Sequence, residues 1–302
     1  MNHDLDYSKG AAWMDGEIIP ISEAKISVLD WGFTRSDVTY DVTQVWQGAF
    51  FRLDDYLDRF QASMAKTRLE VPQSKADMRQ ILHEMVAKSG LTDAYVALVA
   101  SRGTPQVPGS RDPRHCKNHF FAWCIPWLNV IPEDVAARGA HLKIAETVRR
   151  IPIDSVDPTA KNYHWGDLTK GLFEAKDAGF DTVILLDHQG RITEGAGFNV
   201  FGIIDGVVVT PREGALEGIT RRTVLEVAEE LGMKTAVRDI SAEEFLEAEE
   251  VFTATTAGGV TPVARVNDRI FTNDAPGPVT LQLKSSYWDW HQRQELKETI
   301  TY

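Results

Sequence analysis

The chain has 302 residues, 43% of them hydrophobic, with a formal charge of −12 and a pI near 5.2, an ordinary composition for a soluble protein with room for two domains. So acidic a chain has no basic field to draw phosphates, which excludes a general nucleic-acid or anionic-membrane partner. No apolar run reaches the roughly 20 residues of a membrane span. Met1-Asn2-His3-Asp4 lacks a signal peptide's basic and apolar regions, and two cysteines, Cys116 and Cys124, build no disulfide framework. The expected location is cytoplasmic.

From the N-terminus, Ala12-Trp13-Met14 and Glu17-Ile18-Ile19 flank Asp15-Gly16, a strong hairpin signal. Residues 38–46 alternate and are rich in Val, Thr and Tyr, and Gln47-Gly48 turns them into Ala49-Phe50-Phe51-Arg52. Asp54 or Asp55 then caps a helix carrying Leu53, Leu57, Phe60 and Met64 at helical spacing. Ser74 with Asp77 opens another, with Met78, Ile81, Leu82, Met85 and Val86 inward and Gly90 as its stop. Residues 95–100 and 120–125 are apolar runs of strand length. This mixed order predicts an α+β domain with a largely antiparallel sheet over residues 1–130, closed by a proline-bounded connection, Pro126 to Pro132.

Beyond it come a strand near 142–148, a loop with Pro152 and Pro158, and a helix over 166–178 ended by Gly179. Residues 183–186 and 198–204 read as strands, and Asp205-Gly206 turns the second into Val207-Val208-Val209. Gly218-Ile219-Thr220 opens a helix with Val224, Val227, Ala228 and Leu231 on one face, and Val251-Phe252-Thr253 is a further strand. The acidic run Glu243-Glu244 to Glu249-Glu250 reads as a solvated helix capped by Ser241. Many short strands joined by hairpins predict a barrel-like domain over 131–302 with helices outside it.

Lys161 stands just ahead of the 166–178 helix, and Glu194 follows at a strand end running into Gly195-Ala196-Gly197. A lysine amine that condenses with an aldehyde, and a carboxylate that keeps a pyridine nitrogen protonated, are the two protein groups that pyridoxal phosphate chemistry requires. Taken alone, Lys161 is one more solvated lysine in a mildly unfavourable place beside a helix start. Together with the acid and the phosphate sites it reads as catalytic, its pKa depressed by a low-polarity pocket so that the free amine is a base near neutral pH. Glu194 taken alone is a turn acid after Gly190. In the functional reading the small residues after it let a cofactor ring lie close to the backbone.

Gly218-Ile219-Thr220 presents free N–H groups and a hydroxyl at a helix start, and Thr255-Thr256-Ala257-Gly258-Gly259 offers more hydroxyls and a backbone nest, both suited to a phosphate. Arg59 completes the cage, although spacing alone makes it an exposed helix arginine. Arg149-Arg150 and Arg221-Arg222 are too short to count as basic patches. His115, Cys116, His119 and Cys124 have no zinc spacing, and His119 and Cys124 fall on opposite faces of a strand, so no metal site is expected.

At these residues the sequence resembles the fold-type IV pyridoxal-phosphate aminotransferases, a group that includes branched-chain and D-amino acid aminotransferases, and looks closest to the (R)-selective amine transaminases. The resemblance is carried by Arg35 through Tyr40, Phe51 through Asp55, Lys161 through Leu168, Glu194 through Asn199, Gly218 through Arg221, and Thr255 through Gly259. It implies a two-domain α+β homodimer, a small α/β domain plus a larger barrel-like domain with outer helices, and pyridoxal 5'-phosphate as cofactor. By it Lys161 is the Schiff-base lysine and Glu194 the pyridinium partner; Arg59, Ile219, Thr220 and Thr256 hold the phosphate, and Tyr40 sits beside the cofactor. Arg35, Val42, Tyr95, Ala97, Trp165, Thr255 and Ala257 shape the substrate site, which a partner loop helps to close between the domains. The implied substrates are a primary amine donor and a keto acid such as pyruvate. Branched-chain or D-amino acid transamination, an aminodeoxychorismate lyase-like cleavage, and silent cofactor binding are the alternatives. Two departures stand out: Arg35 replaces a histidine usual in the amine transaminases, and the loop 103–109 has no arginine for a carboxylate.

Overall fold

A computed structural model describes residues 6–302. The chain forms two compact units, one of residues 6–128, Ala160–Tyr163 and His291–Tyr302, the other of Asn129–Thr159 and His164–Trp290. A single division after residue 130 is expected from the sequence. The chain instead changes unit near residue 128 and lends two later segments back to the first unit, because Ala160–Tyr163 and the C-terminus bond to its sheet.

The first unit is built on β1 (Ala11–Met14), β2 (Glu17–Pro20), the short α1 (Trp31–Arg35), β3 (Val38–Trp46), β4 (Ala49–Phe51), α2 (Leu53–Thr67), α3 (Lys75–Ser89), β5 (Ala94–Pro105) and β6 (Cys116–Pro126). Its sheet is antiparallel throughout, in the order C-terminal strand Lys297–Thr299, β4, β3, β5, β6, β1, β2. Successive strand residues point to opposite faces. Val45, Phe50, Val96, Leu98, Phe120 and Ala122 therefore turn toward the core made with Leu53, Leu57, Phe60, Met78 and Leu82 of α2 and α3. Val38, Tyr40, Val42, Ala97 and Val99 line the other face, with Tyr95, Phe121 and Trp123 packed against them. The Ser74–Asp77 capping box and Gly90 bound α3 as expected. The cap of α2 differs: Arg52, at φ 54°, holds that position, and Asp54 and Asp55 sit in the first turn, where carboxylates suit the helix dipole. Arg35 ends α1.

The second unit contains α4 (Glu133–Arg138), β7 (Ala140–Ile144), α5 (Gly166–Asp177), β8 (Thr182–Leu186), β9 (Ile192–Gly195), β10 (Phe198–Ile204), β11 (Val207–Thr210), α6 (Ile219–Glu230), β12 (Lys234–Val237), α7 (Ala242–Leu246), β13 (Glu250–Thr255), β14 (Gly259–Val266), β15 (Arg269–Ile270) and α8 (Pro278–Trp290). Because β9 pairs with β10 as well as β8, the path β9-β10-β13-β14-β7-β8 closes on itself, and β11 and β12 extend from β10. This is the expected barrel. Ile184 and Leu186 belong to the core with Phe198, Val200 and Val263, while Val183 and Leu185 pack on Leu168 and Ala175 of α5.

Two local expectations fail. The strand near 142–148 stops at Ile144. The acidic run yields a helix of only five residues, capped by Ser241, and Glu250 is buried in β13 instead of solvated. Its carboxylate accepts from the Val279 and Thr280 N–H groups and the Thr280 hydroxyl, so it caps α8.

Candidate active site

In the first unit, Lys161 is attached to the sheet through its main chain. Its carbonyl accepts from Tyr40 N at 3.1 Å and from Thr39 Oγ1 at 2.6 Å, and its N–H donates to Ser63 Oγ at 3.2 Å. A bridge between Thr39 and Asn162 continues this pairing. The amine lies 4.7 Å from the centre of the Tyr40 ring, which in turn stacks on Tyr163 at 4.0 Å and 16°. Tyr40, Val42, Tyr95 and Ala97 thus share one apolar, aromatic face with the lysine's neighbour ring. Burial pushes the Tyr95 phenol well above its ordinary range, so its hydroxyl stays protonated and can donate.

Arg59 is not the exposed arginine its spacing describes. On α2 it donates from Nε and Nη2 to Asp41 of β3 at 2.9 and 2.6 Å, and Asp41 is fully buried. Arg35 is exposed, its guanidinium carbon 3.3 Å from the centre of the Trp31 ring. His119, set aside as a metal ligand, bonds Asp30 at 2.6 Å, and Asp30 caps α1 by accepting from Gly32 N. Arg102, next to the loop without an arginine, bonds Asp37 and the Thr67 and Arg68 carbonyls.

In the second unit, Glu194 is buried on β9. Its Oε1 accepts from Arg150 Nε and Nη2 at 3.1 and 3.0 Å, and its Oε2 from Leu216 N at 2.9 Å. Asn199, beside it on β10, donates to the Leu216 carbonyl at 2.8 Å, so this loop is gripped at both ends of one residue. A carboxylate oxygen accepts about two hydrogen bonds, and Oε2 keeps room for one more donor. The small residues after Glu194 have local reasons for being there. A side chain at Gly195 would meet the Phe198 ring at 2.1 Å and the Val183 carbonyl at 2.5 Å, and Gly197 has φ +90°.

Thr220 and Ile219 are buried at the start of α6, a helix of 12 residues capped by Gly218. Among the described residues the buried Thr220 hydroxyl finds no hydrogen-bond partner. Buried polar groups are usually paired, and this hydroxyl, at a helix's positive end, fits an anion such as a phosphate. Thr255 does not add to that set: its hydroxyl donates to the Gly197 carbonyl at 2.8 Å. Thr256 lies in the turn between β13 and β14, followed by Ala257, whose carbonyl accepts from Val130 N. Trp165 precedes α5 and packs against the α5 cluster.

The residues that sequence reasoning passed over are Asp41, Arg150, Asp167 and Asn199. Asp41 had a signal, an acid in a strand otherwise of Val, Thr and Tyr. Asp167 and Asn199 lay inside motifs already singled out, with no role assigned to either. Arg150 was dismissed as half of a short basic pair, and its partners are distant in sequence.

The amino-transferase class IV family model matches residues 39–266. A branched-chain-amino-acid aminotransferase of Pseudomonas aeruginosa is 30% identical over 287 residues, which are 93% of this chain and 92% of that protein. The crystal structure of the T.th. branched-chain amino acid aminotransferase with pyridoxamine 5'-phosphate superposes with a TM-score of 0.89 at 28% identity, covering 97% of this chain and 99% of the other. That of Thermoproteus uzoniensis with norvaline gives 0.87 at 26% identity, covering 96% and 99%. The chain therefore belongs to the amino-transferase class IV family, and is an aminotransferase dependent on pyridoxal 5'-phosphate.

Proposed function

We propose that this aminotransferase takes its amino group from a donor bearing a branched aliphatic or aromatic group, a branched-chain amino acid first among them, and passes it to a keto acid. The observation that carries this is the apolar, aromatic face of Tyr40, Val42, Tyr95 and Ala97 beside the Lys161 amine. Such a wall gains by burying a hydrocarbon substituent, on the order of 25 cal/mol per Å². The names of the relatives support the amino acid donor.

The bound cofactor supplies an aldehyde that carries the nitrogen and a ring that takes up electrons. In this reading Lys161 Nζ would hold it and move the proton at the donor's reacting carbon, and Glu194 Oε2 would accept from the ring N–H. The α6 N–H groups with Ile219 and Thr220, Thr256 and Arg59 hold its phosphate, while Tyr40 sits beside it. Val42, Tyr95, Ala97, Trp165, Thr255 and Ala257 shape the donor site, and Arg35 meets the keto acid's carboxylate. A homodimer in the cytoplasm belongs to the same proposal; Val28, Leu29 and Phe33, exposed at 72, 70 and 72%, support a second copy covering them.

One observation favours a second reading, an (R)-selective primary amine donor. The loop 103–109 carries no arginine, and Arg102 beside it is spent on Asp37 and two carbonyls, so no dedicated cation for an α-carboxylate stands there. Stopped-flow bleaching of the cofactor's visible band with L-leucine, D-alanine and (R)-1-phenylethylamine separates the readings. L-Leucine reacting fastest is the expected result. Faster reaction of the amine moves the protein to the second reading, and no bleaching by any of the three rejects the apolar donor site.

A further inference from the structure

Two buried carboxylates share one guanidinium in the barrel unit. Arg150 gives Nε and Nη2 to Glu194 Oε1, and Nη1 to Asp167 Oδ2 at 2.6 Å. The same Asp167 oxygen accepts from Ile151 N at 2.8 Å, which fixes it at the start of α5. Arg150, Asp167 and Glu194 are 8, 8 and 7% exposed. Burial works to lower the Arg150 pKa, but the two acids outweigh it and raise it, so the guanidinium is charged. The hydrogen-bonded trio thus holds one positive and two negative charges. Arg221, buried on α6, is lowered in pKa by that burial and interacts with Glu217 ahead of Glu194, and its hydrogen bonds run to Pro211 O and Thr210 Oγ1.

A lone Arg150–Glu194 pair would be neutral and a poor acceptor for a cationic N–H. Asp167 draws part of the guanidinium's charge to itself and leaves the trio with a net negative charge, a device for attracting one more proton-bearing cation. We propose that Asp167 is a positioning residue which, acting through Arg150, keeps Glu194 a fully anionic acceptor for the pyridinium N–H of the cofactor. This rests on the reading of Glu194 as the ring-nitrogen partner.

The test uses holoenzyme loaded with ring-¹⁵N cofactor, whose nitrogen resonance reports protonation directly. Asp167→Asn keeps the shape and removes the charge. It is expected to lower the pH at which the ring nitrogen titrates by roughly one unit and kcat by about tenfold, with donor KM held within about twofold. Asp167→Glu, which restores the charge, recovers the resonance. The Asp167→Asn/Glu194→Gln double variant is expected to be no slower than Glu194→Gln alone, because Asp167 acts only through Glu194. An unshifted resonance in Asp167→Asn, or single effects that multiply in the double variant, overturns the proposal. An unshifted resonance in Glu194→Gln instead rejects the Glu194 reading itself.

Discussion

Lys161 and Glu194, which carry the two ends of the proposed chemistry, are held in opposite ways. Lys161 is fixed through its main chain, by Tyr40 N, Thr39 Oγ1 and Ser63 Oγ. Glu194 is fixed through its carboxylate, by Arg150 and Leu216 N. The difference matches the work assigned to each. An amine that bonds a substrate and carries a proton needs a rigid backbone anchor, whereas a carboxylate that stabilises a charge must be preorganised to act without rearranging.

The comparison breaks first at Lys161. Lys161→Ala is expected to lower turnover at least about a thousandfold, within the range for loss of a proton-transferring group, while the protein keeps its fold because the main-chain bonds survive. Borohydride reduction of the holoenzyme followed by peptide mapping is expected to label Lys161; a label on another lysine assigns the role elsewhere. Next, Asp41→Ala takes the carboxylate partner from the buried Arg59 guanidinium, which costs on the order of 3–5 kcal/mol. Urea unfolding measures it, and a loss below about 1 kcal/mol would show that the pair is dispensable. Glu194→Gln keeps the shape and removes the charge, with an expected drop in kcat of about a hundredfold and a much smaller change in stability. Equal losses in unfolding free energy and in activation free energy would make Glu194 structural. The smallest effect belongs to Thr220→Ala. Its hydroxyl has no partner among the described residues, so the cofactor-free chain should unfold within about 0.5 kcal/mol of the parent. Cofactor retention on dialysis should weaken about tenfold, and undiminished retention removes Thr220 from the phosphate site.

Much of the fold is legible in the sequence because its signals are local. The Asp15-Gly16 hairpin, the Ser74–Asp77 capping box, the alternation through β3 and the Gly218 helix start each depend on a few adjacent residues, and each forms where expected. Boundaries that depend on partners come out differently. Residues 145–148 belong to the strand expected near 142–148, yet β7 pairs β14 and β8 only as far as Ile144. Glu250 looks like the end of a solvated acidic run until α8, almost thirty residues later, supplies the N–H groups it caps.

The candidate site divides along the same line. The sequence by itself determined which chemistry is available: a lysine ahead of a helix, an acid before small residues, and a threonine at a helix start are types and spacings that one stretch of chain can display. Only the tertiary structure decided the electrostatic state of those groups. Arg59 reads as solvated until Asp41, on another element, pairs with it. Arg150 reads as surface charge until two acids at positions 167 and 194 converge on it. Charge–charge interactions depend on distance and burial, which vary with the fold and not with the spacing along the chain. These two buried pairings are therefore ones the linear pattern conceals.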